Sequence, residues 1–395
     1  MLIQIFLFLI LGIFFGTITG LIPGIHINLV GIFIVSLSVS LFAKIPPLYL
    51  VVFITSMAIT HTFLDFIPSV FLGCPDTDTE LSILPGHQLL KKGKGYSAIM
   101  LTAYGSLAAI FILTILAFPS IILMSKVYNI FQEMLPYFLI AISIFLITLE
   151  SRKITSILVF GLTGLLGWSV LNFPSLNQPL LPLLTGLFGS SMLIMSIKNK
   201  IQIPKQELVK PKVKLFRPLI GAVIASPLCS FLPGLGSGQA AIIGNTISQN
   251  NRENFLVLIG ATNTLVMGFS FLSLYAISKT RTGAAVAIQQ ILGTVSPKII
   301  LLILAVSLVT GIIAFFLTDF LAKFFSQKIE KVNYTFLSSA TLLVLLVVVF
   351  LVSNFTGILV LAASTLTGIY CISLKVRRTN MMGCLLIPTI LLYLL

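Results

Sequence analysis

Two Pro-Gly pairs offer the most specific chemistry in this sequence. Pro23-Gly24 and Pro233-Gly234 each follow a long apolar run. Proline removes a backbone donor and glycine frees φ, so each pair is expected to break a helix. A broken helix leaves unpaired N–H groups at the positive end of a half-helix dipole, which can hold an anion without a charged side chain. The pairs therefore predict an anion-binding site; the alternative is that the glycines only allow close helix packing.

Small and polar residues follow both breaks and complete a candidate substrate site. Ser237 and Gln239, after the second break, carry side chains that can form hydrogen bonds. Further on, Lys279 and Arg281 form a basic pair that could hold a carboxylate or phosphate, or could only anchor a helix end. The candidate substrate-binding residues are Pro23, Gly24, His26, Asn28, Pro233, Gly234, Ser237, Gly238, Gln239, Asn263 and Arg281.

Asp65 lies well inside an apolar run, one helical turn after His61 and on the same helix face. A carboxylate buried in a membrane is costly and usually functional. Asp65 and His61 are therefore candidate ion-coupling residues, with Asp65 taking up a proton or helping to coordinate Na⁺. The alternative is a buried polar pair that fixes helix packing.

A short acidic stretch contains Asp76, Asp78 and Glu80, which could bind a cation or form a solvated loop. The sequence has no HExxH, GxSxG or P-loop motif. The histidines lie in different segments, so their spacing predicts no metal site. We therefore expect no catalytic residue and no cofactor, and the missing P-loop excludes a self-contained ATP-driven pump.

The composition indicates a chain whose solvent is lipid. Of the 395 residues, 57% are hydrophobic and only 9% are charged, whereas soluble domains carry about 25% charged residues. The net charge of +14 comes from basic residues in short loops between apolar runs, which is the positive-inside bias of membrane proteins rather than a nucleic-acid surface. The four cysteines show no CxxC spacing and are interpreted as packing residues.

The apolar runs predict an all-α polytopic membrane protein with about 10 spanning helices plus two re-entrant or broken-helix hairpins, at 2–43 and 216–248. Non-helical backbone at membrane depth survives only inside protein or against water, so both breaks are expected to face the interior. A basic cytoplasmic linker at 198–217 separates a first membrane repeat, 1–197, from a second, 218–395.

Charge counts orient the two repeats. If each hairpin returns to its own side and five helices follow it, one side of the membrane carries 19 Lys and Arg residues and the other carries 5. The first side is then cytoplasmic, both termini are extracytoplasmic and the halves have opposite orientation. Sequence matches support a repeat, since Thr60-His61-Thr62 aligns with Thr262-Asn263-Thr264. Inverted repeats with matched breaks are typical of secondary transporters.

The motifs around the breaks resemble those of the TctA family, the large permease subunit of tripartite tricarboxylate transporters. The residues that carry the likeness are Gly16-Thr17-Ile18-Thr19-Gly20-Leu21-Ile22-Pro23-Gly24, Leu232-Pro233-Gly234 with Gly236, Ser237, Gly238 and Gln239, and Lys92-Gly93-Lys94-Gly95-Tyr96-Ser97-Ala98. The chain is most similar to a divergent, mainly archaeal branch. It departs from the bacterial members at Pro85-Gly86-His87, where they usually carry an Asp-containing segment.

The resemblance implies ion-coupled uptake of a small organic anion, such as a di- or tricarboxylate, with H⁺ or Na⁺ as the coupling ion. It also implies two protein partners, a small membrane subunit and an extracytoplasmic binding protein. Two other functions stay open. One is a flippase for a polyprenyl phosphate or a similar anionic membrane lipid, and the other is an intramembrane enzyme that uses Asp65, Asp76, Asp78 and Glu80.

Overall fold

All the regular secondary structure is helical in the part of the chain that the computed structural model describes, residues 2–22, 45–72, 79–148, 150–198, 203–232, 236–329 and 334–394. Within these ranges, seven helices are long and apolar enough to cross a membrane, and five shorter apolar helices accompany them. The predicted all-α polytopic membrane fold is confirmed. The seven spans are Leu2–Leu21, Pro47–Leu72, Gly95–Lys126, Lys153–Leu171, Arg252–Ile277, Pro297–Lys328 and Ser338–Ser373.

Each half contributes its own set of helices. The first half contains α1 (Leu2–Leu21), α2 (Pro47–Leu64), α3 (Phe66–Leu72), α4 (Ile83–Leu90), α5 (Gly95–Thr148), α6 (Lys153–Leu171), α7 (Leu180–Leu184) and α8 (Ser191–Lys198), with a π-helical turn at Thr185–Ser190 between α7 and α8. The second half contains α9 (Phe216–Phe231), α10 (Ser237–Ser248), α11 (Arg252–Ile277), α12 (Gly283–Leu292), α13 (Pro297–Lys328), α14 (Tyr334–Ser373) and α15 (Gly383–Leu394).

Two helix boundaries of the first half recur in the second half at the same separation along the chain. The short helices α4 and α12 end at Leu90 and Leu292, and the long helices α5 and α13 begin at Gly95 and Pro297. Both separations are 202 residues. The spans that open α5 and α13 are also equal, at 32 residues each. This correspondence supports the two-fold repeat.

Two spans form the centre of the molecule. Over their apolar windows, Pro47–Leu72, which joins α2 and α3, and α11 are each 94% buried, while the other five spans are between 22% and 39% buried. Glycines bring neighbouring backbones close to this centre. A Cβ on Gly260 of α11 would lie 2.1 Å from the backbone oxygen of Thr102 in α5. The backbones of the surrounding helices therefore contact the backbones of the two central spans directly.

The second Pro-Gly pair joins two helices that fold back on each other. Gly221 of α9 packs directly against Gly244 of α10, far from the break on both sides, since a Cβ on Gly221 would lie 2.4 Å from the backbone oxygen of Gly244. This contact gives the segment 216–248 the form of a hairpin. Pro233 and Gly234 lie outside the described residues, as does 23–44 of the first hairpin.

One long helix runs through a place where the sequence suggests separate apolar runs, and another is interrupted at such a place. α5 continues from Gly95 to Thr148 across the polar stretch 125–133. That stretch contains Lys, Gln and Glu, which are good helix formers, and no glycine or proline. The helix continues there even though Pro136, three residues further on, cannot donate to the carbonyl of residue 132. α14, by contrast, is interrupted at Asn354, whose φ of 56° is left-handed.

The described part of the basic linker, 203–215, carries no helix and is docked on the first half; we call it the strap. Gln206 joins it to the turn between α4 and α5, because its Oε1 accepts from Gly95 N at 2.8 Å and its Nε2 donates to Leu90 O at 3.1 Å. Ser97 Oγ donates to the backbone oxygen of Val209 at 2.6 Å. The connection between the halves is therefore fixed to the first half.

A second packed group unites the ends of both halves. Ser156, at the start of α6, donates to Asn380 Oδ1 at 2.7 Å. Glu150 accepts from the backbone N–H of Arg377 at 3.3 Å and faces its guanidinium at 3.5 Å. Gly167 of α6 packs on the backbone of Cys384 in α15. The carboxyl-terminal helices of the two halves therefore pack on each other rather than on their own halves alone.

Candidate functional site

Asp65 lies at the junction between α2 and α3, in the middle of the central span. Its side chain is only 4% exposed. Its backbone N–H donates to His61 O at 3.0 Å, and its backbone oxygen accepts from Ser69 Oγ at 2.8 Å. The short helix break at Asp65 is thereby closed by local bonds, which hold the carboxylate at a defined position inside the helix bundle.

Asn263 of α11 brings the second half to this carboxylate. Its Nδ2 donates to Asp65 Oδ2 at 2.8 Å and lies 3.4 Å from the backbone oxygen of Thr62. A hydrogen bond to an ionised group is stronger than a neutral one, and it is stronger still where water is excluded. The two halves therefore meet at a buried carboxylate–amide pair.

Two equivalent hydroxyls meet beside this pair. Thr62 Oγ1 and Thr264 Oγ1 lie 3.2 Å apart, and both residues are almost fully buried. The two threonines are aligned in the repeat proposed from sequence. Only residues near a two-fold axis contact their own equivalents, so the contact supports an axis that passes between α2 and α11.

His61 lies on the other side of Asp65 and faces the first hairpin. Its Nδ1 lies 3.2 Å from Thr19 Oγ1 in the last turn of α1. Thr19 itself donates to Gly16 O at 3.2 Å. The imidazole thus links the central helix to the end of α1, where the first break follows. His61 and Asp65 are neighbours on the same helix face, as predicted.

The amino-terminal end of α10 lies beside the same centre. Ala241 of α10 packs in one apolar cluster with Phe66, the residue after Asp65. Gln239 is 2% exposed, and its Oε1 accepts from the backbone N–H of Gly236 at 2.7 Å. Ser237 is fully buried. The side chain of Gln239 therefore folds back over the first turn of α10, where backbone N–H groups point along the helix axis.

Arg281 lies apart from this centre, beside the end of α9. The loop that carries it is tied back by Thr280 Oγ1, which donates to Ser270 O at 3.0 Å, and Ser270 Oγ donates to Ser230 O at 3.1 Å. Ser270 is two turns from Asn263, or about 10 Å along the helix. The loop that carries Arg281 is therefore attached to α11 about two helical turns away from the Asp65–Asn263 pair.

Several predicted residues lie outside the described ranges. They are Pro23, Gly24, His26, Asn28, Pro233 and Gly234, together with Asp76 and Asp78 of the acidic stretch. Gly238 is described and is buried within α10. The grouping that the structure makes is thus Asp65, His61 and Asn263, with Gln239 and Ser237 on the adjoining helix.

The sequence analysis missed the hydroxyl groups of the centre. Thr19, Thr62 and Thr264 each contribute a side-chain contact there. Thr60 is also fully buried, and its Oγ1 has no hydrogen-bond partner within the described ranges. The repeat alignment contained three of these four threonines and was the available signal. It was used to locate the repeat and not to select residues.

Comparison with known proteins matches residues 6–383 to the model of the family described as the tripartite tricarboxylate transporter TctA family. The chain is also 34% identical over 404 aligned residues to MJ1079 of Methanocaldococcus jannaschii, an uncharacterized protein, with 98% of each chain covered. No solved structure matches. The family match spans both halves and includes the buried pair and both Pro-Gly pairs.

Proposed function

The chain belongs to the TctA family of tripartite tricarboxylate transporters, and from that membership we propose that it is a secondary active transporter of a small organic anion. The substrate class is a di- or tricarboxylate, and the coupling ion is H⁺ or Na⁺. The family is one of transporters rather than enzymes. The observation that carries the proposal is the buried Asp65–Asn263 pair, which joins the two halves of the chain at 2.8 Å.

The ion-coupling role belongs to Asp65. A carboxylate inside a membrane bundle is costly unless it is neutralised, and uptake of a proton or a Na⁺ ion achieves this. Asn263 donates to one oxygen, and buried hydroxyls and the Thr62 carbonyl lie nearby. Oxygen atoms are the ligands that hard cations prefer. The neighbourhood of Asp65 therefore suits a cation that arrives and leaves with each transport cycle.

The substrate-binding role belongs to the amino-terminal end of α10 and to the two breaks. An exposed first helical turn presents N–H groups and a positive dipole end to a carboxylate. In the structure Gln239 folds back onto Gly236 N at this end. A bound substrate carboxylate replaces that contact and draws on the Ser237 hydroxyl. Arg281, further along, supplies a positive charge on the approach to the second break.

Alternating access follows from the repeat. We assign opposite orientations to 1–197 and 218–395, with 198–217 in the cytoplasm and both termini outside. The chain itself is a multi-pass membrane protein. In the family such permeases work with partner subunits, and we assign to this chain a small membrane subunit and an extracytoplasmic binding protein. Exchange of the two halves between equivalent arrangements exposes the centre to each side in turn.

Uptake into vesicles tests this function. The purified protein, reconstituted into liposomes with a Na⁺ or proton gradient, should accumulate labelled citrate or succinate, and the gain should vanish when the gradient is dissipated. Asp65→Ala and Gln239→Ala should abolish uptake, while Glu207→Ala, an exposed residue on the strap, should not. If no carboxylate is taken up under either gradient, while a polyprenyl phosphate crosses the bilayer, the protein is a lipid flippase instead.

A further inference from the structure

The strap and the turn that it docks on form a strongly basic surface. It consists of Lys91, Lys92, Lys94, Lys205, Lys210, Lys212, Lys214 and Arg217, all of them exposed. We call these eight residues the basic strap surface. The strap brings the two groups of cations together, because Glu207 N donates to Gly93 O at 2.7 Å and places Lys205 beside the turn. We propose that this surface binds the phosphate headgroups of anionic membrane lipids.

The exposure of the strap residues shows which way its lysines point. Residues 203–215 carry no helix. Val213 packs into the apolar cluster of Tyr96, Phe71 and Leu90 and so faces the protein. Lys212 and Lys214, on either side of it, are exposed and face away from the protein, as does the exposed Lys210.

Exposed apolar side chains among these cations indicate that the surface faces the boundary of a lipid bilayer. Leu208, Val209 and Leu215 are between 37% and 58% exposed, and Phe216 is 79% exposed. Exposed apolar side chains interleaved with lysines suit the boundary of a bilayer, which accepts both kinds. The long lysine side chains can reach the phosphates while the apolar groups enter the acyl region.

The attachment of the strap restricts it to the membrane surface. It connects α8 to α9, both of them apolar helices, and α9 begins at Phe216, the residue after the strap ends. Gln206 fixes its other end to the start of the spanning helix α5. A segment held at the ends of membrane helices lies where the headgroups are. Basic residues near an anionic leaflet gain about 1 kcal/mol each.

Lipid titration followed by native mass spectrometry tests the proposal. The full-length protein in neutral detergent is titrated with phosphatidylglycerol and, separately, with phosphatidylcholine. Phosphatidylglycerol should bind more tightly. The triple variant Lys210→Gln/Lys212→Gln/Lys214→Gln should weaken its binding by about 100-fold, as expected for three such contacts. These substitutions leave the Gln206 and Val213 contacts intact. If the triple variant does not fold, the single variant Lys212→Gln replaces it and is expected to weaken phosphatidylglycerol binding by about 5-fold.

A matched control removes the same charge elsewhere. The variant Lys126→Gln/Lys153→Gln/Lys298→Gln changes three exposed lysines that lie outside the strap, and it should leave the affinity for phosphatidylglycerol within about threefold. Equal losses in the two triple variants would show a general effect of net charge and would overturn the proposal. Binding of tripolyphosphate as tight as that of phosphatidylglycerol, lost in the same variant, would assign the surface to a soluble polyanion instead.

Discussion

Exchanging the two members of the central pair separates a structural role of Asp65 from ion coupling. Asn263→Asp alone places a second carboxylate where the 2.8 Å hydrogen bond now lies. Two charges at that distance repel by about 6 kcal/mol at an effective dielectric constant of about 20, so the variant is expected to be strongly destabilised or to retain a proton. Asp65→Asn replaces a bond to a charged group by a neutral one and should cost only about 1 kcal/mol.

The double variant Asp65→Asn/Asn263→Asp restores one carboxylate and one amide at the same contact. Its thermal stability in detergent should return to within about 1 kcal/mol of the parent protein, because the pair is again complementary. Gradient-driven uptake should nevertheless stay at the level of empty vesicles, since the carboxylate has moved from the α2–α3 junction to α11. Uptake that recovers together with stability would refute ion coupling at Asp65 and leave the residue a packing role.

Three further substitutions test how the site is held. Gly260→Val should lower stability by about 1–3 kcal/mol through overpacking, because a Cβ at Gly260 would lie 2.1 Å from a backbone oxygen. The control Gly161→Val should be nearly neutral, because a Cβ at Gly161 would have nothing within 4 Å. Thermal unfolding in detergent compares the two variants. Gln206→Ala should cost about 1–3 kcal/mol and speed proteolysis of the strap, while Glu207→Ala should do neither. Burial lowers the pKa of His87 below its ordinary 6.5, against the opposing effect of its hydrogen bond to a backbone oxygen. The unfolded chain therefore binds more protons than the folded one, so the contribution of neutral His87 to stability is full above pH 6.5 and is lost as the pH falls below that value. His87→Gln should remove this pH dependence from the free energy of unfolding measured across pH 5 to 7. An unchanged pH profile would contradict the assignment to His87.

The sequence was informative about the central pair because a charge in an apolar run has few explanations. Asp65 and His61 could be selected on cost alone, and Asn263 could be selected because the repeat places it opposite His61. Threonine hydroxyls carry no such signal. They are tolerated in apolar helices by bonding to their own backbone, as Thr62 does to Ile59 O at 2.9 Å, so their arrangement around the pair could be found only in three dimensions.

The docking of the strap could not be inferred from the sequence either. Its basic composition suggests a solvated linker, but Gln206 bonds to Gly95 and Leu90, backbone groups more than 100 residues away along the chain. A contact with backbone atoms does not restrict the residue type of the partner, so the sequence does not reveal it. The continuous helix α5 was missed for a related reason, since a polar stretch between two apolar runs fits a loop and a helix equally well when it lacks glycine and proline.

The chemistry of the site is asymmetric although the helices around it are repeated. At the separation that relates Thr62 to Thr264, the counterpart of Asp65 is Met267, which is buried and apolar. The first half thus supplies a carboxylate and an imidazole, and the second half supplies an amide and the amino-terminal end of α10. In the proposed function, Asp65 of the first half takes the coupling ion and the amino-terminal end of α10 in the second half takes the anion. Because Asn263 donates to Asp65 across the boundary, we propose that loading either ligand changes the contact between the halves, where a coupled transporter needs the two binding events to meet.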